Sequence, residues 1–320
     1  MATIKNCRLI QQRGFTLIEL MISIPLGLLV MFAVLKIFTA NVEGVNLQNA
    51  FSRVQENGRM ATELLIRDIR GADYWGCLRD TSLITNNLDT SDDDYVLATQ
   101  IPTGSSGIAG ENNVDSGIEI ADIPVKEATD TLTLRGASAI ANIKIVPPYA
   151  PASSSQIKIN SEGYIPPGTI IMIGDCGGAD VISVTNNNGN NDTVVHNSGT
   201  INIANSVNNA HGKLSRSYSS SSLLMTPYVK TYFIGQNLAG SYSLFSSDNG
   251  VANELVRGVT DLQLEYGEDT GTFSEASSVN MTAVRSIRFS IVAESSSGSG
   301  NAPLARTYTV TSNIRNRTLQ

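Results

Sequence analysis

The chain has 320 residues, a formal charge of −7 and only two histidines, and aromatic residues make up 6% of it. An acidic, aromatic-poor chain offers no electrostatic reason to bind DNA or RNA, so we expect no direct nucleic-acid binding. The length leaves room for a long N-terminal helix followed by one large domain or two small ones.

The N-terminal segment combines a basic leader with an apolar run. Lys5, Arg8 and Arg13 precede Gly14, and the run 15–35 that follows carries a single charge, Glu19. As a helix this run is about 31 Å long, enough to cross a bilayer core. A secretory signal peptide would end in small residues after the apolar core, whereas here Gly14 precedes it. A plain membrane anchor explains the length and the basic flank, but it leaves unexplained an acid that costs roughly 2.5–3.5 kcal/mol at mid-bilayer.

The helix is predicted to continue well past the apolar run. Spacings of three and four residues mark one stripe on its surface, which predicts a helix over 15–73 with a transmembrane half at 15–36. The stripe consists of Leu47, Phe51, Val54, Gly58, Ala61, Leu65, Ile69 and Ala72.

The remainder, 74–320, is predicted to form short strands separated by polar turns. Because no helices alternate with the strands, we expect antiparallel sheets packed on the second half of the long helix. Segments 89–117, 186–192, 219–222 and 295–300 are predicted loops. The predicted strands are 131–134, 142–146, 169–173, 181–185, 231–234, 243–245, 255–259, 261–266, 284–292 and 307–314.

Residues 13–19, Arg-Gly-Phe-Thr-Leu-Ile-Glu, resemble the class III signal of type IV prepilins and pseudopilins. Further segments resemble the PilW-type minor pilins in the family's order. They are Tyr-Trp-Gly-Cys at 74–77, Gly-Asp-Cys at 174–176, Thr-Tyr-Phe-Ile-Gly at 231–235, Glu-Leu-Val-Arg-Gly-Val at 254–259, Leu-Gln-Leu-Glu-Tyr-Gly at 262–267 and Ile-Arg-Asn-Arg at 314–317.

This resemblance implies an α+β type IV pilin fold, in which a long N-terminal helix packs on an antiparallel β-sheet head. It implies that the leader 1–14 is removed between Gly14 and Phe15 and that Phe15 becomes the N-methylated terminus. Glu19 would then pair with the Phe15 ammonium of a neighbouring subunit, because both charges are costly in an apolar bundle unless paired. Pairing of Glu19 with its own terminus, or its protonation in the bilayer, remains open.

The resemblance also implies a function, partners and a location. The function is that of a minor pilin in the tip or priming complex that initiates type IV pilus assembly. The implied partners are other minor pilins, the major pilin, a tip adhesin, the prepilin peptidase and the inner-membrane assembly platform. We expect a single-pass protein of the inner membrane with a periplasmic head, which moves to the pilus tip. The alternatives are a large, tip-located pseudopilin of type II secretion and a membrane-anchored adhesin or binding module that never polymerises.

Loss of the leader would remove Cys7 and leave Cys77 and Cys176, which we predict to form a disulfide in an oxidising periplasm; two free buried thiols are the alternative. We expect no enzyme and no cofactor. The segment Gly-Asp-Cys-Gly-Gly at 174–178 looks like a protease nucleophile, but His196 and His211 both follow it and are expected in solvated loops. Neither these histidines nor Asp92, Asp93 and Asp94 have metal-site spacing, so we expect no metal.

Overall fold

A computed structural model describes residues 14, 16–92, 95, 106–160, 164–186, 192–201, 203, 206–269, 271–295 and 303–318. The chain divides into two units. The N-terminal unit comprises Met1–Ser52 and Ser296–Leu304, and the head comprises Arg53–Ser295 and Ala305–Gln320.

The dominant element is one α-helix, α1, which spans Leu17–Gly71. Its 55 residues correspond to about 82 Å of helix. The helical assignment continues through Pro25, although proline has no N–H to donate to the preceding turn. The helix ends two residues before the predicted end, because Asp73 adopts a left-handed conformation with φ 59° that no helix interior accepts.

The apolar stripe of α1 is buried within the head. Val54, Ala61, Leu65, Ile69 and Ala72 are at most 1% exposed, as the spacing of three and four residues predicts. Leu47 and Phe51, the first members of the predicted stripe, are exposed. Both precede residue 53, where the head begins.

The head is built from short and medium strands, followed by a short C-terminal helix, α2 (Arg315–Thr318). The strands of the described residues are β1 (Ile84–Asn86), β2 (Ile108–Glu111), β3 (Glu119–Ile120), β4 (Ile123–Pro124), β5 (Thr131–Ala139), β6 (Gln156–Lys158), β7 (Ile170–Asp175), β8 (Gly178–Ser183), β9 (Thr193–Val195), β10 (Leu223–Gln236), β11 (Tyr242–Asp248), β12 (Val251–Arg257), β13 (Val259–Gly267), β14 (Phe273–Ser274), β15 (Ser286–Ser295) and β16 (Leu304–Asn313).

The long strand β10 organises the larger, eight-stranded sheet. Its first residues pair with β7, its middle pairs with β5 and its last part pairs with β11, all antiparallel. The order β1-β8-β7-β10-β11-β12 follows, with β5 and β2 branching from β10. The pair β1–β8 is parallel. A four-stranded sheet, β14-β13-β15-β16, forms the C-terminal part.

The main core lies between α1 and both sheets. Leu65 and Ile69 of α1 share one buried cluster with Leu132 of β5, Tyr232 of β10 and Phe289 of β15. Two further apolar clusters lie around β7 and β8. The α+β pilin fold predicted from the sequence, a long helix on an antiparallel-rich head, is therefore confirmed.

Two predicted segments of the head are wrong. Residues 142–146 form turns rather than a strand, because Asn142 has a left-handed φ of 64° and only Ile145 makes an isolated bridge, to Ile159. The predicted loop 89–117 contains strand β2, which pairs with β5 and buries Ile108. Residues 93–94 and 96–105 of that loop lie outside the described residues, as do 187–191 and 296–300 of two other predicted loops.

Candidate functional site

The first half of α1 exposes apolar side chains on every side. All residues from Thr16 to Asn49 are exposed, including Leu17, Ile22, Leu28 and Phe38. The helix is long and apolar enough to cross a membrane. Such a surface is stable only in lipid or against other apolar helices, because exposed apolar area of this extent is strongly unfavourable in water.

The start of α1 places Glu19 in the first helical turn. The Thr16 carbonyl accepts hydrogen bonds from the backbone N–H groups of Glu19 and Leu20, at 3.1 and 3.2 Å. The Thr16 hydroxyl donates to a Glu19 carboxylate oxygen at 3.4 Å. A carboxylate in the first turn also interacts favourably with the positive end of the helix dipole. Gly14 is exposed and precedes the helix, and Phe15 lies outside the described residues.

The end of α1 is held by the last residues of the chain. The Asn316 amide donates to the carbonyls of Gly71 and Ala72, at 3.3 and 2.8 Å. These carbonyls belong to the last turn and its exit, where no intrahelical N–H is left to satisfy them. The C-terminal segment therefore supplies the cap that α1 lacks.

Arg317 lies beside this cap and is almost fully buried. Its Nε donates to Asp73, and its two Nη atoms donate to the Met281 and Val284 carbonyls and to the Ser106 hydroxyl. The Arg317 side chain is 4% exposed and that of Asp73 14%. One guanidinium thus ties the exit of α1 to Ser106, just before β2, and to the segment before β15.

A second ionic cluster forms around Asp68 on α1. Asp68 accepts hydrogen bonds from Arg67 at 2.8 Å, from Lys230 at 3.1 Å and from the Tyr232 hydroxyl. Burial raises the pKa of the Asp68 carboxyl, but these three hydrogen bonds together hold it below its ordinary value. Asp68 therefore stays ionised and fastens α1 to β10.

The two cysteines of the head form a disulfide. Cys77 lies just after α1 and Cys176 lies in the turn between β7 and β8, with their Cα atoms 4.7 Å apart. The bond joins positions 99 residues apart and connects the exit of α1 to the β7–β8 hairpin.

His196 does not lie in a solvated loop, contrary to the sequence-based expectation, whereas His211 is exposed. Burial lowers the pKa of His196 to about 4, against the opposing effect of nearby Asp180. Among the described residues, neither ring nitrogen of His196 has a hydrogen-bond partner. Asp180, also fully buried, accepts hydrogen bonds from Asn87, Ser215 and Tyr218. Within the described residues no group of three or more His, Cys, Asp or Glu is arranged to hold a metal.

The candidate residues thus fall into two sets. Gly14 and Glu19 lie at the start of α1, and Cys77 and Cys176 are joined in the head. Sequence reasoning did not assign roles to Thr16, Asp73, Asn316 and Arg317. The Thr-x-x-Glu spacing of 16–19 is a known N-cap pattern and would have identified Thr16. The segment 314–317 was noted only as a resemblance, since nothing local indicates that it caps a helix over 240 residues away.

Two family models match the chain. The prokaryotic N-terminal methylation motif matches residues 10–35, and the model described as Type IV Pilus-assembly protein W matches residues 231–317. The second match runs from the middle of β10 through the four-stranded sheet to Arg317. No curated protein and no solved structure matches the chain significantly.

Together the matches cover the exposed apolar start of α1, which carries Glu19, and the C-terminal segment that caps its other end. Both disulfide cysteines and His196 lie between the matched ranges. Pilins are structural, non-enzymatic subunits that are anchored in a membrane and interact with other pilins and with the prepilin peptidase. These two matches make the chain similar to N-methylated pilins over 10–35 and to PilW-type pilus assembly proteins over 231–317, which is consistent with a PilW-type pilin.

Proposed function

We propose that the protein is a minor pilin that helps form the tip or priming complex from which a type IV pilus grows. The observation that carries the proposal is that the helix surface from Thr16 to Asn49 is exposed on every side. The first part of this surface lies within the N-terminal methylation motif, which matches residues 10–35. That surface suits a helix that lies first in lipid and then among the helices of neighbouring subunits. Pilus-dependent motility, adhesion and DNA uptake would follow indirectly, without catalysis.

Processing would prepare this surface for assembly. The prepilin peptidase cuts between Gly14 and Phe15, which removes the leader 1–14 and leaves an N-methylated ammonium on Phe15. The mature chain then consists of the helical segment 15–73, with its transmembrane half at 15–36, and the head 74–320 in the periplasm. Glu19 pairs with the Phe15 ammonium of a neighbour, which neutralises both charges and sets the axial register.

The size of the head supports a place at the tip. A head of more than 200 residues is difficult to repeat along a close-packed shaft, whereas a terminal position accommodates it. At the tip the protein would contact other minor pilins, the first major pilin and a tip adhesin, after leaving the inner-membrane assembly platform.

A clean deletion tests the proposal, scored in the same cultures for surface pili by electron microscopy and for secreted enzymes in the medium. We expect the loss of pili with normal secretion, and restoration of pili by the intact gene supplied in trans. Normal pili with lost secretion would instead make the protein a large tip pseudopilin of type II secretion. Unchanged pili and secretion, with no cut after Gly14, would make it a membrane-anchored binding module.

A further inference from the structure

An open groove of about 930 Å³ runs along the last turns of α1. One wall is the helix, with Glu63, Ile66, Arg67 and Arg70; the opposite wall is the end of β5. Tyr74, Tyr228 and Arg315 of α2 also line it. All of these residues belong to the head.

Arginine dominates the charge of this groove. Arg67, Arg70 and Arg315 are exposed and line it, and Arg67 also forms an ion pair with Asp68 at 2.8 Å. Among the described lining residues the acidic one is Glu63, which forms an ion pair with Arg59 at 2.7 Å. Three guanidinium groups around one opening stand out in a chain whose formal charge is −7. Guanidinium groups bind carboxylates in a planar, bidentate geometry, which makes the groove complementary to an acidic ligand.

The floor of the groove offers a strand edge. The outward edge of β5 is continued by the residues after α1, since the Asp73 N–H donates to the Arg135 carbonyl and the Ala137 N–H to the Tyr74 carbonyl. Beyond these bonds Ser138 and Ala139 are exposed and line the groove. The hydroxyl end of Tyr228 lies against Gly136, whose missing side chain makes room for it: a Cβ there would lie 2.7 Å from the hydroxyl. An extended peptide can therefore lie along the end of β5, in the groove that Tyr74 and Tyr228 also line.

The geometry points to a docking site for an extended, carboxylate-bearing peptide segment of another subunit, held by Arg67, Arg70 and Arg315. This inference deepens the proposed function and rests on it in one respect, that the partner is another subunit of the assembly. The positive charge of the arginines favours a peptide that carries carboxylates. The tyrosines and the β5 edge fix the orientation of that peptide in the groove.

Binding of a defined peptide tests the site directly. The full-length protein in detergent is titrated with a fluorescent seven-residue peptide of alternating valine and glutamate, and with the same peptide carrying glutamine, by fluorescence anisotropy. We expect the glutamate peptide to bind about tenfold more tightly or better, and this preference to shrink at high salt. The triple variant Arg67→Gln, Arg70→Gln, Arg315→Gln should lose the preference.

The matched control is the triple variant Arg53→Gln, Arg79→Gln, Arg306→Gln, which removes three exposed arginines outside the groove. It should keep the preference. Equal affinity for the two peptides in the wild-type protein, or an equal loss of preference in both triple variants, would overturn the inference. Far-ultraviolet circular dichroism and the thermal midpoint establish that each variant is folded.

A photo-reactive residue at position 138 then tests the identity of the partner in piliated cells. We expect a cross-link to another pilin that the groove variant loses and the control variant keeps. A cross-link that survives the groove variant would contradict the site. If the peptide preference holds while deletion of the gene leaves pili unchanged, the groove binds acidic peptides and only the proposed function fails.

Discussion

Arg317 holds the end of α1 to the rest of the head through one buried ion pair and several hydrogen bonds. Its guanidinium is buried, and the partners it would abandon are Asp73, two backbone carbonyls and a hydroxyl. Removing one member of a buried ion pair typically destabilises by about 3–5 kcal/mol, because the remaining charge stays buried and unpaired.

We therefore expect Arg317→Ala to lower the free energy of unfolding by about 3 kcal/mol or more. Urea unfolding followed by fluorescence measures it well, since Trp75, the one tryptophan of the chain, donates its Nε1–H to Asp73. Arg53→Ala, at an exposed arginine, is the control and should change stability by less than about 0.5 kcal/mol. Equal midpoints for the two variants would show that the Arg317 contacts contribute little.

His196 gives the protein a distinct sensitivity to acid. Its pKa in the folded protein is about 4, below the ordinary value of 6.5. Between these values the unfolded chain binds a proton at His196 and the folded chain does not, so stability falls as the pH drops from 6.5 to about 4 and then levels off. The full loss is about 3 kcal/mol.

The variant His196→Leu should lack this part of the pH dependence. Its stability at neutral pH should be equal to or higher than that of the wild type, because the two buried ring nitrogens find no hydrogen-bond partner in the part of the chain that the structure describes. The measurement is the free energy of unfolding at several pH values from 7 to 4 for both proteins. If the free energy of unfolding fell equally with pH in both proteins, His196 would not be the source of the acid sensitivity. Protonation of Asp68 lowers the stability of the protein separately. Its pKa in the folded protein lies below the ordinary carboxyl value, so this stability is lost as the pH falls below that value.

At the scale of elements, the disulfide and the C-terminal segment both act on the exit of α1. Cys77–Cys176 closes a long loop, and the chain-entropy model gives such a crosslink about 4.7 kcal/mol. Both cysteines are exposed, so a reductant reaches the bond without unfolding the head.

We expect mild reduction of the native protein to lower the urea midpoint, and the double variant Cys77→Ser, Cys176→Ser to unfold at that same lower midpoint. Adding reductant to the double variant is the control and should have no effect. A reduced protein as stable as the oxidised one would mean that the hydrogen bonds around Asp73 hold the exit of α1 without the bond.

The sequence allowed some elements to be predicted and not others. Periodicity identified α1 and most long strands, because a stripe of Val54, Ala61 and Leu65 or an alternating strand is a local signal. It failed for Asn142, whose left-handed backbone is a property of its turn, and for β2, whose short Ile-Ala-Gly-Glu run forms a strand only by pairing with β5. The burial of His196 and the contacts of Asn316 are set by distant packing, which no local pattern records.

At the scale of the whole molecule, the proposed function gives Glu19 a role in both processing and assembly. It interacts with Thr16 at the start of its own helix, and in the proposed filament it pairs with the Phe15 ammonium of a neighbour. The two roles differ in their requirement for charge: helix capping needs an acceptor, which an amide also provides, whereas ion pairing needs a carboxylate.

We expect Glu19→Ala and Glu19→Gln both to be cut after Gly14 and N-methylated, and both to be reduced about tenfold in sheared pili, a difference of about 1.4 kcal/mol. Mass spectrometry of the mature N-terminus and immunoblots of the pilus fraction measure the two steps. Normal incorporation of the glutamine variant together with a defective alanine variant would assign Glu19 to capping alone.

The capping of α1 by Asn316 and Arg317 sets an order of events during synthesis. The helix leaves the ribosome first, but Asn316, which completes its end, is made 244 residues after Ala72. Until Asn316 and Arg317 are made, the end of α1 lacks the Asn316 hydrogen bonds and Asp73 lacks its ion pair with Arg317, however much of the sheet has formed. A truncated product from a broken message therefore never closes, and quality-control proteases that recognise open cores can remove it before it reaches a growing filament.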